Sequence, residues 1–126
     1  KELFQGTYLY DKWDFTKTNP VVYLSLAGYN KTEEVSEFIR ERLKIYIDDD
    51  VYKISDFSKN LNLGILAEKI FEKTGKQSVL LIDEYDKVIL THLQDPKKAQ
   101  EYREYFLSIY SGIKDADPYI KMFFLT

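Results

Sequence analysis

The sequence predicts an α/β fold built around a parallel β-sheet. Three runs rich in β-branched and aromatic residues predict strands at 20–28, 78–83 and 119–126. The runs are nearly continuously apolar rather than alternating, which is typical of parallel strands covered on both faces. Segments with helical periodicity separate them, as crossover connections between parallel strands require. We therefore expect the order strand, two helices, strand, helix, strand.

Composition narrows the function classes. A chain of 126 residues, 44% hydrophobic and 31% charged, has the size and balance of one globular domain. A net charge of −3 argues against general binding to nucleic acid or acidic membranes, which needs clustered Lys and Arg. The absence of cysteine excludes disulfides and thiolate metal sites. No apolar run reaches membrane-spanning length and no signal peptide is visible, so we expect a cytoplasmic protein.

The first segment, 1–15, contains the only tryptophan, Trp13. We expect a short strand or an aromatic-rich loop that packs over the helices. Its aromatic side chains are interpreted as core residues rather than catalytic ones.

A helix is predicted from Thr32 to Tyr46, where Asn30 and Glu33 have the spacing of a capping box. Its apolar residues share one face. They are Val35, Phe38, Ile39, Leu43 and Tyr46. The polar segment 48–60 that follows is predicted to be a surface loop. The three acids 48–50 lack the alternate spacing of a calcium loop, which favours a solvated segment.

Two further helices are predicted at 61–74 and 97–113. Gly75 is placed to end the first, and Gly64 inside it costs about 1 kcal/mol, so its start is poorly defined. Asp95 and Pro96 are typical of the N-cap and first turn of the second. The predicted buried stripes are Leu63, Leu66, Ala67, Ile70 and Phe71 in the first helix, and Ala99, Tyr102, Phe106, Ile109 and Ile113 in the second. The tyrosines of the second helix are interpreted as packing residues rather than a base-stacking surface.

The acidic end of the 78–83 strand is the main candidate site. Apolar residues followed by Asp83 and Glu84 have the form of a Walker B strand, and ligands of α/β sheets bind beyond the carboxyl ends of strands. In that motif the Asp holds Mg²⁺, usually through a water, and the Glu polarises the attacking water. Adjacent strand residues point to opposite sides, so each carboxylate could serve a different partner. On residue types alone, an Asp that merely caps the following turn is the favoured alternative.

The phosphate-binding partner of such a strand, G-x-x-x-x-G-K-[ST], is absent from the 126 residues. Gly75 precedes Lys76, but no glycine stands five residues before it. We therefore do not expect these residues to bind a nucleoside triphosphate through that loop.

Three stretches resemble a known family: "LFQGTYLYDKWDF" (3–15), "VLLIDEYDKVI" (79–89) and "FFLT" (123–126). They are similar to bacterial AAA-ATPase-like proteins, whose members usually carry a PD-(D/E)XK nuclease-like domain at the C-terminus. The resemblance covers nearly the whole chain, and "LIDEYDK" is its most specific part. It implies a three-layer P-loop NTPase-like core, with 1–126 as a partial domain that supplies the second to fourth core strands.

The resemblance also implies ligands and residue roles. ATP and Mg²⁺ are the implied cofactors, with Asp83 as the acid that holds Mg²⁺, Glu84 as the catalytic base and Thr126 as the sensor of the γ-phosphate. The phosphate loop and its strand would precede Lys1 in a longer protein, beside the 119–126 strand. Without that strand, 119–126 is expected to be an apolar edge that favours self-association. A homo-oligomer and a nuclease-like C-terminal domain are implied for the parent, while no nuclease signature occurs in this chain.

The remaining polar residues are given structural interpretations. Asp86 and Lys87 are expected to form a solvated turn with a weak surface ion pair. His92, the only histidine, is expected at the surface, which leaves zinc sites and Ser-His-Asp chemistry without support.

Two functions from different classes follow. The leading hypothesis is the Walker B-to-sensor portion of an ATPase, which would not be active alone. The alternative is an interaction or regulatory module that keeps the α/β fold without hydrolysis.

Overall fold

A computed structural model of the chain describes residues 1–46 and 62–126. Within them three strands, β1 (Val21–Ser25), β2 (Ser78–Asp83) and β3 (Ile120–Leu125), form a parallel sheet in the order β1-β2-β3. All three lie inside the predicted apolar runs. The α/β class and the parallel sheet with flanking helices are therefore confirmed.

The helices connect these strands in the predicted order. The longer helices are α2 (Val35–Lys44), α3 (Leu63–Thr74) and α5 (Pro96–Asp115); the shorter are α1 (Leu9–Lys12) and α4 (Lys87–Thr91), with 3-10 turns at Glu2–Phe4 and Asp117–Tyr119. Helix α4, the five-residue helix that follows the acidic strand end, was not predicted from the sequence. The predicted loop 48–60 and its three acids lie outside the described residues.

The capping box predicted for α2 is wrong. The Asn30 Oδ1 accepts a hydrogen bond from the Thr32 backbone N–H at 2.9 Å, and α2 begins only at Val35. Glu34 occupies the N-cap position without a side-chain cap bond. The local turn made by Asn30 competes with the helix cap for the same side-chain oxygen, and the turn wins.

The predicted end of α3 at Gly75 and the predicted start of α5 at Asp95 are confirmed, whereas the start of α3 at Asn62 was not predicted. Gly75 ends α3 with φ +66°, and the Asn62 Oδ1 caps its start by accepting from the Ile65 N–H at 2.9 Å. Asp95 caps α5 through the Lys98 N–H at 3.1 Å.

The core lies between the helices and one face of the sheet. Its strand residues alternate along β1 and β2, while its helix residues come mainly from the predicted stripes. The buried apolar side chains are Val22, Leu24, Leu26, Tyr29, Val35, Ile39, Leu43, Leu63, Leu66, Ala67, Ile70, Leu80, Ile82, Val88, Tyr102, Phe106, Ile109 and Ile113. Both crossovers step in the same direction across the sheet, so a right-handed connection places both sets of helices on one face.

The opposite sheet face is apolar and open among the described residues. Val21, Tyr23, Met122 and Phe124 are each between 46% and 51% exposed. The expectation of strands covered on both faces is therefore met on one face only. The physical reason is the common direction of the two crossovers, which leaves the second face to any segment that crosses the other way.

The outer edge of β1 is closed by a side chain. The Tyr46 hydroxyl accepts from the Tyr23 backbone N–H at 2.7 Å and donates to the Tyr23 carbonyl oxygen at 3.0 Å. One phenol therefore occupies both backbone groups that an incoming strand would pair with at this position.

The core role predicted for the first segment is wrong. Leu3 is 96% exposed and Trp13 is 63% exposed. The apolar contacts of this segment are largely its own: the Phe4 and Phe15 ring centroids are 5.4 Å apart, and Leu9 and Trp13 line the same shallow hollow. The stripes of α2, α3 and α5 already cover the helical face of the sheet, so these rings are not needed there.

The surface position predicted for His92 is also wrong. His92 follows α4 and is buried, with its Nε2 3.0 Å from the Tyr29 hydroxyl and its ring 4.9 Å from the Tyr102 ring. Burial lowers the pKa of His92 below its ordinary value, and the nearby positive charges of Lys98 and Lys31 act in the same direction. The unforeseen helix α4 brings the imidazole inward.

Candidate functional site

The polar residues of the site lie where the three parallel strands end. Asp83 is the last residue of β2, and Thr126 directly follows β3. Asp83 pairs with Ser25 at the end of β1, while Ile82 pairs with Leu125. Parallel strands in register end at one edge of the sheet, so the fold brings these side chains together.

Asp83 is held by hydroxyl groups from both neighbouring strands. Its Oδ1 accepts from the Thr126 hydroxyl at 2.5 Å, and its Oδ2 accepts from the Tyr23 hydroxyl at 2.8 Å. The structure thus joins two of the three residues predicted from sequence, Asp83 and Thr126, and adds Tyr23.

These donors stabilise the charged carboxylate. The Thr126 hydroxyl, then the Tyr23 hydroxyl, lower the pKa of Asp83, and the Glu84 backbone N–H contributes in the same direction. Asp83 is therefore an anion at neutral pH. A carboxylate oxygen has two lone pairs, so each Asp83 oxygen can still accept a further hydrogen bond.

Backbone hydrogen bonds fix the three strand ends to one another. The Thr126 N–H donates to the Ile82 carbonyl at 2.9 Å, and the Tyr85 N–H donates to the Thr126 carbonyl at 3.3 Å. The Leu26 N–H donates to the Asp83 carbonyl at 2.9 Å. The backbone on both sides of Asp83 is therefore held by a neighbouring strand end.

Glu84 sits at the turn out of β2 in a left-handed conformation, with φ +54°. No other non-glycine residue of the described segments has a positive φ. Such a conformation costs about 1 kcal/mol or more in an ordinary residue. The strand alternation that was expected to separate Asp83 from Glu84 therefore ends at Asp83, and this turn sets the direction of the Glu84 side chain instead. Glu84 is exposed, and its carboxylate makes no hydrogen bond within residues 1–46 and 62–126.

The residues after Glu84 start α4. Asp86 is exposed at the N-cap position without a side-chain cap bond, and Lys87 is the half-buried first residue. The expected solvated turn is present, but no ion pair joins Asp86 to Lys87 in the described part of the chain. Neither residue contacts Asp83 through a hydrogen bond there.

The donor set suits a hard cation that keeps most of its own water. The described residues contain no group of three or more His, Cys, Asp or Glu able to hold a metal ion by themselves. Mg²⁺ is commonly bound by one or two carboxylates together with waters and substrate phosphates. One ionised carboxylate flanked by hydroxyls therefore fits Mg²⁺ as part of a shared site.

Tyr23 was not predicted as a site residue because only residues at or beyond the strand ends were considered. Tyr23 lies two residues before Ser25, the register partner of Asp83, and therefore on the same face of the sheet. A tyrosine can reach such a diagonal neighbour on the adjacent strand. Aligning the two predicted strands in parallel would have revealed the pair.

Comparison with known proteins supports the family resemblance seen in the sequence. A model of the AAA-ATPase-like family, described as "Predicted AAA-ATPase", matches residues 1–126. The chain belongs to this family. Membership supports an ATPase-like domain.

A curated relative of this AAA-ATPase-like chain comes from Azotobacter chroococcum mcd 1 and is titled "Uncharacterized protein in vnfD 5'region". It is 30% identical over 126 residues, which is 98% of this chain and 24% of the relative. The chain thus spans about a quarter of the curated relative it matches. No solved structure matches this chain. No helix in the described part of the chain is long and apolar enough to cross a membrane.

Proposed function

We propose that this AAA-ATPase-like chain is the Walker B-to-sensor portion of a domain that binds and hydrolyses ATP. Asp83 organises Mg²⁺ through water, Glu84 polarises the attacking water, and Thr126 senses the γ-phosphate. The observation that carries this proposal is the Thr126 hydroxyl on the Asp83 carboxylate at the shared carboxyl edge of parallel strands.

The environment of Asp83 suits the metal role. Its lowered pKa keeps the carboxylate charged, and free lone pairs on both oxygens can accept hydrogen bonds from metal-bound waters. Bound there, Mg²⁺ would neutralise charge that develops on the transferred phosphate. Thr126 can rotate its hydroxyl from Asp83 to a phosphate oxygen, because a hydroxyl is both donor and acceptor.

The turn at Glu84 suits the role of base. Its left-handed backbone directs the side chain out of the strand, and exposure leaves the carboxylate open to water. Backbone strain of this kind persists where the surrounding structure holds it, and it often occurs at functional sites.

The open sheet face supports a phosphate-binding segment supplied by the longer protein. A strand that precedes β1 in the chain and pairs beside β3 must cross back over the sheet in the reverse direction. A right-handed crossover then places its helix on the face that bears Val21, Tyr23, Met122 and Phe124. We propose that the nucleotide site is completed in this way. A nuclease-like C-terminal domain and a homo-oligomer stay predictions for the parent.

The alternative, an interaction module without hydrolysis, is favoured by the exposed apolar groups of the first segment and by the absence of a phosphate loop in the 126 residues. A G-x-x-x-x-G-K-[ST] motif upstream in the parent would favour the ATPase.

The decisive experiment is ATP turnover by the full-length protein carrying Glu84→Gln. This change keeps the side-chain volume and removes the base, so turnover should fall by about 10²- to 10⁴-fold with nucleotide binding retained. Glu101→Gln, on an exposed position of α5, is the matched control and should leave turnover unchanged. Equal turnover by the Glu84→Gln and unmodified proteins would refute the catalytic assignment.

A further inference from the structure

Tyr23 joins two parts of the site that the Walker B pattern does not connect. Its hydroxyl donates to Asp83 Oδ2 at 2.8 Å from the strand on the opposite side to Thr126. The carboxylate is therefore bridged across all three strands, with one hydroxyl on each oxygen.

The two bonds together restrict how Asp83 can rotate. An aspartate carboxylate held by a single hydroxyl can still change its two side-chain torsions, χ1 and χ2, while it keeps that hydrogen bond. Simultaneous donors on Oδ1 and Oδ2, from opposite sides, select one orientation of the carboxylate plane. The orientation of this plane decides where the remaining lone pairs point.

Tyr23 is itself held from the other side. Its backbone N–H and carbonyl are both bonded to the Tyr46 hydroxyl, at 2.7 and 3.0 Å. Its ring, by contrast, lies on the open sheet face and is 47% exposed. A half-exposed tyrosine with both its backbone and its hydroxyl engaged is better suited to positioning a neighbour than to filling a core.

The geometry points to Tyr23 as a positioning residue that fixes the Asp83 carboxylate for water-mediated binding of Mg²⁺. The inference rests on the proposed function, since it assigns the metal role to Asp83. Tyr23 acts only through Asp83, while Tyr46 holds the Tyr23 backbone in place.

Tyr23→Phe tests this inference because it removes one oxygen and keeps the ring. In crystals of the full-length protein grown without nucleotide or metal, the Asp83 side-chain torsions are read from the electron density. We expect one rotamer in the unmodified protein and more than one in Tyr23→Phe. Tyr8→Phe, which removes a hydroxyl from a 79% exposed tyrosine elsewhere, should leave the Asp83 rotamer unchanged. Tyr46→Phe should give a smaller change of the same kind.

In the full-length protein the same variants are compared by the Mg²⁺ concentration that gives half-maximal ATP turnover. Loss of the hydrogen bond from the Tyr23 hydroxyl to Asp83 should raise this Mg²⁺ concentration by about 10-fold in Tyr23→Phe, with a smaller change in kcat. A purely structural role would instead lower the active fraction and leave the Mg²⁺ requirement unchanged.

The outcomes separate the two proposals. A fixed Asp83 rotamer in Tyr23→Phe, or an unchanged Mg²⁺ requirement, overturns the role of Tyr23 while turnover by the unmodified protein stands. Failure of the proposed function shows differently, as absent turnover in the unmodified full-length protein or as turnover that survives Asp83→Asn.

Discussion

Replacing Gly64 by alanine tests a close contact between helices α3 and α5. Gly64 lies in the first turn of α3, against the backbone of α5. A Cβ at this position would lie 2.4 Å from the Gly112 carbonyl oxygen, 3.0 Å from its carbonyl carbon and 3.1 Å from the Ala116 Cβ. These distances are shorter than ordinary van der Waals contacts, and helix backbone cannot rotate away as a side chain can. The two helices must therefore separate or shift.

The expected loss of stability follows from two opposing effects. Overpacking of this kind costs about 1–3 kcal/mol. Alanine in place of glycine favours the helix by up to about 1 kcal/mol, and by less in a first turn. Contact with backbone places the overpacking cost near its upper end, so we expect Gly64→Ala to lower the free energy of unfolding by about 2–3 kcal/mol.

Gly112→Ala is the matched control from the same contact. Its Cβ would lie 3.4 Å from the Asn62 Nδ2, an ordinary contact, so the helix-propensity gain of up to about 1 kcal/mol should prevail. Urea unfolding followed by circular dichroism measures both variants. The packing argument fails if Gly64→Ala is as stable as the unmodified chain, or if the two glycine variants shift stability in the same direction.

Two further predictions concern the sheet edge and the buried histidine. Met122 is 51% exposed on β3, which pairs only with β2 among the described strands. Met122→Lys should therefore reduce self-association of the 126-residue chain, as measured by light scattering. Leu107→Lys, at an exposed position of α5, should not. A monodisperse unmodified monomer would contradict this prediction. Burial lowers the pKa of His92 in the folded chain, so the unfolded chain binds a proton at a higher pH than the folded chain does. The stability from neutral His92 should be complete above about pH 6.5 and decline as the pH falls toward the folded pKa. Urea titrations at several pH values should show a smaller decline in His92→Gln, and equal pH dependence in both proteins would contradict it.

The strands, the end of α3 and the start of α5 could be predicted because their signals are local. Apolar runs, Gly75 and the N-cap Asp95 each act within a few residues of the structure they define. The start of α2 was mispredicted because Asn30 can serve either a helix cap or its own turn, and the spacing to Glu33 is the same in both cases. The Gly64 contact could not be foreseen, since it depends on where α3 crosses α5.

The residues of the site also differ in whether their signals are local. Asp83 and Glu84 could be named from the acidic end of a predicted strand, while Thr126 was implied by the family resemblance. The contact between Asp83 and Thr126 depends on the parallel pairing of β2 with β3. The buried position of His92 required the short helix α4, which has too few residues for a helical period.

The direction of the crossovers explains why the site and the open sheet face occur together. Both connections among the described strands step from β1 toward β3, so their helices share one face, and the second face is left with exposed apolar side chains. Tyr23, on that open face, carries the hydroxyl that holds Asp83. A segment that covers this face must therefore contact the residue that orients the carboxylate. Under the proposed function, the crossover that delivers the phosphate-binding half would pack against Tyr23, so assembly of the two halves and orientation of Asp83 would depend on one side chain.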